Sequence, residues 1–234
     1  MRPTIFYAIL RAGAVLLILR VLVTIVLNYP DYFPAHFDSL FLQGREQTFT
    51  ASYQIAFYIH ILASPVLLVS GLILLSDRYR ISFPRGHRRL GWVHSLILLL
   101  FVLPSSIVMA CKSFGGWSAG ASFIILAFAT ATCTILGIAN AVRRRYAIHR
   151  RWMLRSYVLL CSAVLLRLIS GAASLLDIGD PETAYVIASW CSWVLPLTLF
   201  EVAIRWRMFA DESTNKLSST RLFGHESEQK PGKV

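Results

Sequence analysis

Long runs of apolar residues, separated by short polar links, dominate this chain. A run of about 20 apolar residues is long enough to cross the hydrocarbon core of a membrane as a helix. Six such runs are present, at Thr4–Asn28, Tyr53–Ser76, Gly91–Cys111, Ala119–Val142, Trp152–Leu176 and Ala184–Trp206. The pattern therefore predicts an all-α fold, a polytopic membrane helix bundle with six transmembrane helices.

The polar links divide the chain into four parts. We expect a first transmembrane helix in residues 1–28, an outer loop in 29–52, a five-helix membrane core in 53–207 and a disordered cytoplasmic tail in 208–234. The tail is polar and rich in Ser, Glu and Lys, a composition typical of disorder. The first run is too long for a signal peptide and contains arginines, so we expect it to be a retained helix.

Composition and charge agree with a membrane protein and set its orientation. Hydrophobic residues make up 56% of the chain, whereas soluble domains contain about 45–50%. The net charge of +11 can indicate nucleic acid, but the arginines lie at the ends of the runs, so we expect no nucleic-acid partner. The runs alternate between an arginine-rich side and an acidic side. The positive-inside rule then places the arginine-rich side and both termini in the cytoplasm.

Charged residues within the apolar runs are costly and indicate function by default. Arg20, Arg167 and Glu201 are three of them. With a rise of about 1.5 Å per residue, Arg20, Arg167 and His60 fall in the outer half of the membrane and can converge if their helices are neighbours. Arg167 has no acidic residue one turn away on its own helix. We therefore expect Arg167 to bind water, carbonyl groups or an anionic group.

A second polar set lies near the cytoplasmic side. Glu201, His94 and Arg155 fall at a similar depth, with His87 and His149 at the boundary. In a structural interpretation these groups form ion pairs and hydrogen bonds between helices. In a functional interpretation, His94 and His149 bind the iron of haem b. A haem held in this way needs two imidazoles on facing helices and basic groups near its propionates.

Several segments in a fixed order resemble one known family. The chain contains FYIHILASPVLLVSGLILL, then HRRLG, GGWSAG, IHRRWMLRSYVLLCSAVLLRL and WCSWVLPLTLFEVAIR. This order is similar to the bacterial membrane family called domain of unknown function 2306, over Tyr53 to Arg207. The resemblance implies a multi-pass protein of the bacterial cytoplasmic (inner) membrane without an assigned reaction. The positions that the family pattern marks are His60, His87, Arg88, Gly91, His149, Arg150, Trp152, Arg155, Arg167 and Glu201.

The family core is distantly similar to the two-haem membrane cytochromes b, and this likeness leaves two function classes open. The first is a non-enzymatic or accessory integral membrane protein, with the lipid bilayer as its partner. The second is a haem b or quinone-linked electron-transfer protein with a redox partner. In the second class, cofactor-binding groups are expected at His60, His87, His94, His149, Arg155, Arg167 and Glu201. The sequence does not decide whether the chain is an enzyme.

Overall fold

Helices make up most of the computed structural model of this protein, which describes residues 3–39, 42, 45–177 and 179–227. The α-helices are α1 (Pro3–Leu27), α2 (Ala51–Leu74), α3 (Asp77–Ser82), α4 (Pro84–Ile97), α5 (Leu103–Ala110), α6 (Gly116–Val142), α7 (Tyr146–Leu160), α8 (Ser162–Leu175) and α9 (Pro181–Ser227). A π turn, Leu98–Val102, joins α4 to α5, and 3-10 turns form at Tyr29–Tyr32 and Glu46–Thr48. The predicted all-α class is confirmed.

Within the described residues, five helical stretches are long and apolar enough to cross a membrane. They are Ala51–Leu74, Pro84–Ala110, Gly116–Val142, Tyr146–Leu175 and Pro181–Trp206. Helix α1 adds a shorter apolar stretch, Ala12–Leu27. The multi-pass membrane architecture is therefore confirmed, while the sixth span and the orientation of the termini stay predictions.

Two of the spans begin earlier than the hydropathy pattern predicts. Helix α4 begins at Pro84 rather than at Gly91, and α7 begins at Tyr146 rather than at Trp152. Proline suits the first turn of a helix because its φ angle is already helical and its missing N–H has no partner there. Arginine stems lie along apolar surface while their charged ends reach water, so a helix continues through a basic segment that hydropathy excludes.

The chain divides into two compact units, Met1–Val194 and Leu195–Val234. The second unit is helical as far as Ser227, whereas the sequence predicts a disordered tail from residue 208. Its residues up to 227 include no proline after Pro196 and only one glycine, Gly224, so strong helix breakers are scarce. Residues 228–234 of the predicted tail lie outside the described part of the chain.

Hydroxyl groups join the helices of the first unit. The Thr134 and Ser156 hydroxyls lie 2.7 Å apart between α6 and α7. Trp193 Nε1 on α9 donates to Ser122 Oγ on α6 at 2.9 Å, and that hydroxyl donates to the Ser189 carbonyl at 3.0 Å. Such bonds satisfy polar groups where no water is present, and small residues let the helices approach closely.

We call the end with the arginine-rich links, α2 to α4 and α6 to α7, the basic end, and the opposite end the loop end. At the loop end an aromatic cap covers the start of α2. Its rings are Tyr32, Phe33, Phe37 and Phe49. Phe33 stacks on the ring of Tyr58 with centroids 4.7 Å apart. The Tyr58 hydroxyl donates to the Tyr32 carbonyl at 2.9 Å. The predicted outer loop is thus folded onto the bundle.

Candidate functional site

A π turn and a proline shape the first wall of a polar site near the loop end. His60 Nδ1 on α2 lies 3.3 Å from Ser105 Oγ on α5, and Ser105 Oγ donates to the Val102 carbonyl at 3.1 Å. Pro104, in the first turn of α5, has no N–H to bond the carbonyl four residues earlier. The π turn precedes it, and π turns are frequent at functional sites because they break the regular backbone ladder.

Arg167 on α8 supplies the charge of this site. It lies eight residues before the end of α8 at Leu175, and His60 lies nine residues after the start of α2 at Ala51, so both are about 12–14 Å deep. The guanidinium lies close enough for its charge to act on His60 and on three phenols, those of Tyr29, Tyr32 and Tyr185.

One Arg167 nitrogen donates to the Ala163 carbonyl at 2.9 Å, so most of its five donors are uncommitted within the described residues. No carboxylate of the described chain interacts with Arg167. Asp31, next to Tyr32 in the chain, is exposed. Many atoms of the bundle surround Arg167, and its side chain is nevertheless exposed. We call the polar surface around it, which includes His60 and the three phenols, the loop-end cleft.

The 3-10 turn Tyr29–Tyr32 places two phenols over this cleft. Burial raises the pKa of both Tyr29 and Tyr32, and the positive charge of Arg167 acts in the opposite direction. The Tyr29 hydroxyl donates to the Ile61 carbonyl. Pro65 cannot bond that carbonyl because it has no N–H, so the phenol satisfies a group that the proline leaves unpaired inside the membrane.

The three histidines predicted near the basic end have different surroundings. His94 on α4 is 3% exposed, and its Nδ1 lies 2.8 Å from Ser70 Oγ on α2. His149 Nδ1 lies 2.8 Å from the Gly137 carbonyl on α6. His87 interacts electrostatically with His149, but its buried Nδ1 has no hydrogen-bond partner among the described residues.

The two other predicted basic-end residues, Arg155 and Glu201, belong to different units of the chain. The Arg155 guanidinium stacks on the ring of Trp152 on its own helix, 4.8 Å from the ring centroid. Glu201 is half-buried and belongs to the second unit, Leu195–Val234. The structural interpretation that pairs Glu201 with Arg155 therefore stays a prediction.

Haem ligation has support in hydrogen bonding but not in packing. An iron-binding imidazole usually uses its second ring nitrogen in a hydrogen bond, as both His94 and His149 do here. However, the His94 ring lies against Gly71 together with the ring of Tyr157. A haem bound to His94 would need open space beside the free ring nitrogen, and His94 is 3% exposed. In this packing the residues do not fit a haem, and we derive no electron-transfer step.

Of the three residues predicted to converge at the loop end, His60 lies close enough to Arg167 for the charge of the guanidinium to act on it. Arg20 is exposed and lies on the opposite face of α1 from the buried Ile18 and Val21. The phenols were missed, although YPDYFP is conspicuous in the sequence, because aromatic residues at that level are also typical of membrane-interface anchors.

Comparison with known proteins gives one match. A family model described as "Predicted membrane protein (DUF2306)" matches residues 57–204, more than half of the chain. The matched part includes His60, Ser105 and Arg167, whereas the turn Tyr29–Tyr32 precedes it. No curated protein and no solved structure matches the chain.

Proposed function

Because this chain belongs to the membrane-protein family DUF2306, whose description names no reaction, we propose its function from the polar cleft at the loop end. The protein binds the anionic group of a small amphipathic molecule at Arg167. It is a non-enzymatic protein of the bacterial inner membrane, with the basic end in the cytoplasm as the positive-inside rule requires. The cleft then faces the outer half of the bilayer.

The observation that carries this proposal is the lack of a carboxylate at Arg167 among the described residues. A charge at that depth is costly unless it is paired or solvated. A carboxylate or phosphate group supplies the missing charge and accepts two parallel hydrogen bonds from a guanidinium. The accessible side chain gives such a group a route to the charge.

The surrounding side chains support binding rather than a covalent step. Tyr32 and Tyr185 lie close enough to the guanidinium for its charge to act on them, so they make this surface more polar than the lipid chains around the bundle. His60 is held by Ser105 on one ring nitrogen. A neutral quinone carbonyl gains less than an anion from a full positive charge in a water-poor site, so an anion is the preferred ligand.

Titration of purified protein in detergent tests the proposal. The probes are decyl phosphate, decylubiquinone and decyltrimethylammonium, which share an alkyl chain and differ in head group. We expect decyl phosphate to bind the wild type, and Arg167→Gln to weaken binding at least tenfold, about 1.4 kcal/mol. Arg20→Gln is the matched control, because Arg20 is a span arginine on an exposed face, and we expect it to leave the affinity unchanged.

Equal affinity of the wild type and Arg167→Gln for decyl phosphate would refute the proposal, as would equal binding of the ammonium probe. Stronger binding of decylubiquinone than of decyl phosphate would favour a quinone site instead. Arg167→Lys keeps the charge but loses the paired donors, so we expect an intermediate affinity. A melting curve of each variant separates lost binding from lost folding.

Haem b electron transfer is the second candidate function, favoured by the hydrogen bonds at His94 and His149. Bound haem would supply one-electron chemistry. Because the rings of Tyr157 and His94 both pack at Gly71, haem binding has less support than anion binding.

A further inference from the structure

A groove separate from the loop-end cleft lies between α1 and α2. Its volume is about 450 Å³, within the range of about 300–1,000 Å³ that small-molecule sites occupy. Helix α1 contributes Ala14 and Ile18 to one wall, and α2 contributes Leu72 and Leu75 to the other. All four positions lie in apolar stretches, so the groove lies at the depth of lipid chains.

The floor of the groove has the character of a hydrocarbon surface. Tyr157 and Cys161 on the α7 side complete the lining. The Tyr157 hydroxyl is already committed, because it donates to the Leu68 carbonyl at 3.1 Å. The phenol thus presents mainly its ring to the groove, and a thiol behaves as a small hydrophobic group. Such a surface suits an alkyl chain better than a polar head.

A cation without a partner among the described residues follows the groove in the chain, at the start of α3. Arg78 follows Leu75 by three residues, is exposed, and has no hydrogen bond or ion pair within the described chain. Arg80 and Arg150 differ from Arg78 because each forms an ion pair with Asp77, at 3.0 and 3.1 Å. The hydrogen bond from Arg80 and the charge of Arg150 lower the pKa of Asp77. At neutral pH the carboxylate therefore stays ionised and retains its ion pairs with both arginines.

We propose that this groove binds one acyl chain of an anionic phospholipid whose phosphate contacts Arg78. The hydrocarbon lining accepts the chain, and the cation at the level of the head groups selects the charge. Anionic lipids are attracted to basic segments beside membrane spans. The proposal is independent of the loop-end cleft, because no residue is shared between the two sites.

Native mass spectrometry of delipidated protein tests the proposal, with phosphatidylglycerol or phosphatidylethanolamine added back at equal concentration. We expect one phosphatidylglycerol per chain. Ala14→Trp and Leu72→Trp fill the groove from opposite walls, and each is expected to lower the bound fraction at least fivefold. Leu100→Trp is the matched control, because Leu100 is 62% exposed and lies outside the groove lining, so it leaves the bound fraction unchanged.

The charge is tested separately from the groove. We expect Arg78→Gln to remove the preference for phosphatidylglycerol over phosphatidylethanolamine, and Arg89→Gln, an exposed arginine on α4, to keep it. The proposal is overturned if both tryptophan variants retain phosphatidylglycerol like the wild type, or if the wild type binds both lipids equally. Melting curves of the two tryptophan variants test whether they fold. Position 14 is exposed, so we expect Ala14→Trp to fold even if Leu72→Trp does not.

Discussion

Replacing Gly71 with alanine perturbs the closest approach between α2 and α7. A Cβ atom at position 71 would lie 2.5 Å from Tyr157 Cδ2, closer still to Cε2, and 3.5 Å from His94 Cε1. Carbon atoms pack best at about 3.5–4.0 Å, so the phenol ring has to move by about 1 Å. That movement also disturbs the hydrogen bond from Tyr157 to the Leu68 carbonyl.

The expected loss of stability follows from three contributions. Overpacking costs about 1–3 kcal/mol, and a weakened buried hydrogen bond costs about 0.5–1.5 kcal/mol. The better helix propensity of alanine offsets about 0.5–1 kcal/mol. We therefore expect Gly71→Ala to lower the free energy of unfolding by about 2 kcal/mol, which for a chain of this size lowers Tm by about 5 °C.

Thermal unfolding in detergent, followed by circular dichroism, measures this loss. Gly171→Ala is the matched control, because a Cβ atom there meets nothing within 4 Å, and we expect Tm to stay or rise slightly. Adding Gly71→Ala to Tyr157→Ala should cost nothing further, since the ring is gone. If Gly71→Ala is as stable as the wild type while the control behaves as expected, the proposed contact with Tyr157 does not exist.

Two further outcomes follow from the hydrogen bonds. Tyr29→Phe leaves the Ile61 carbonyl unpaired beside Pro65, so the free energy of unfolding should fall by about 1–2 kcal/mol; Tyr146→Phe, at a phenol that is 64% exposed, is the control and should have no effect in the same melting assay. Protein purified from haem-supplied cells should show no Soret band that shifts with dithionite, because His94 is 3% exposed and packs at Gly71 together with the Tyr157 ring. A shifting band that His94→Ala and His149→Ala abolish would restore haem ligation.

Hydropathy was sufficient to predict the class of fold, because the hydrocarbon core requires apolar helices with every backbone group bonded. It was insufficient at the basic end. Helices α4 and α7 both begin among arginines, and the average hydropathy of such a segment is low even where the backbone is helical. The two extra turns of α4 contain His87, which the sequence analysis places at the membrane boundary.

The candidate site was partly predictable because depth follows from position along a helix. Arg167 and His60 could be placed at one level from the sequence alone. Which helices are neighbours is decided by side-chain packing, and hydropathy carries no information about it. The exposed position of Arg20 and the contribution of Tyr29 from the 3-10 turn both depend on that packing.

The π turn Leu98–Val102 gives the α4–α5 span a property that an uninterrupted α-helix lacks. Each residue added to a helix rotates everything beyond it by about 100°, and a π turn accommodates an inserted residue without breaking the helix. The π turn therefore rotates the side of α5 that carries Ser105 relative to the side of α4 that carries His94. The serine opposite His60 owes its direction to that one irregular turn, and an uninterrupted α-helix of the same sequence would aim it elsewhere.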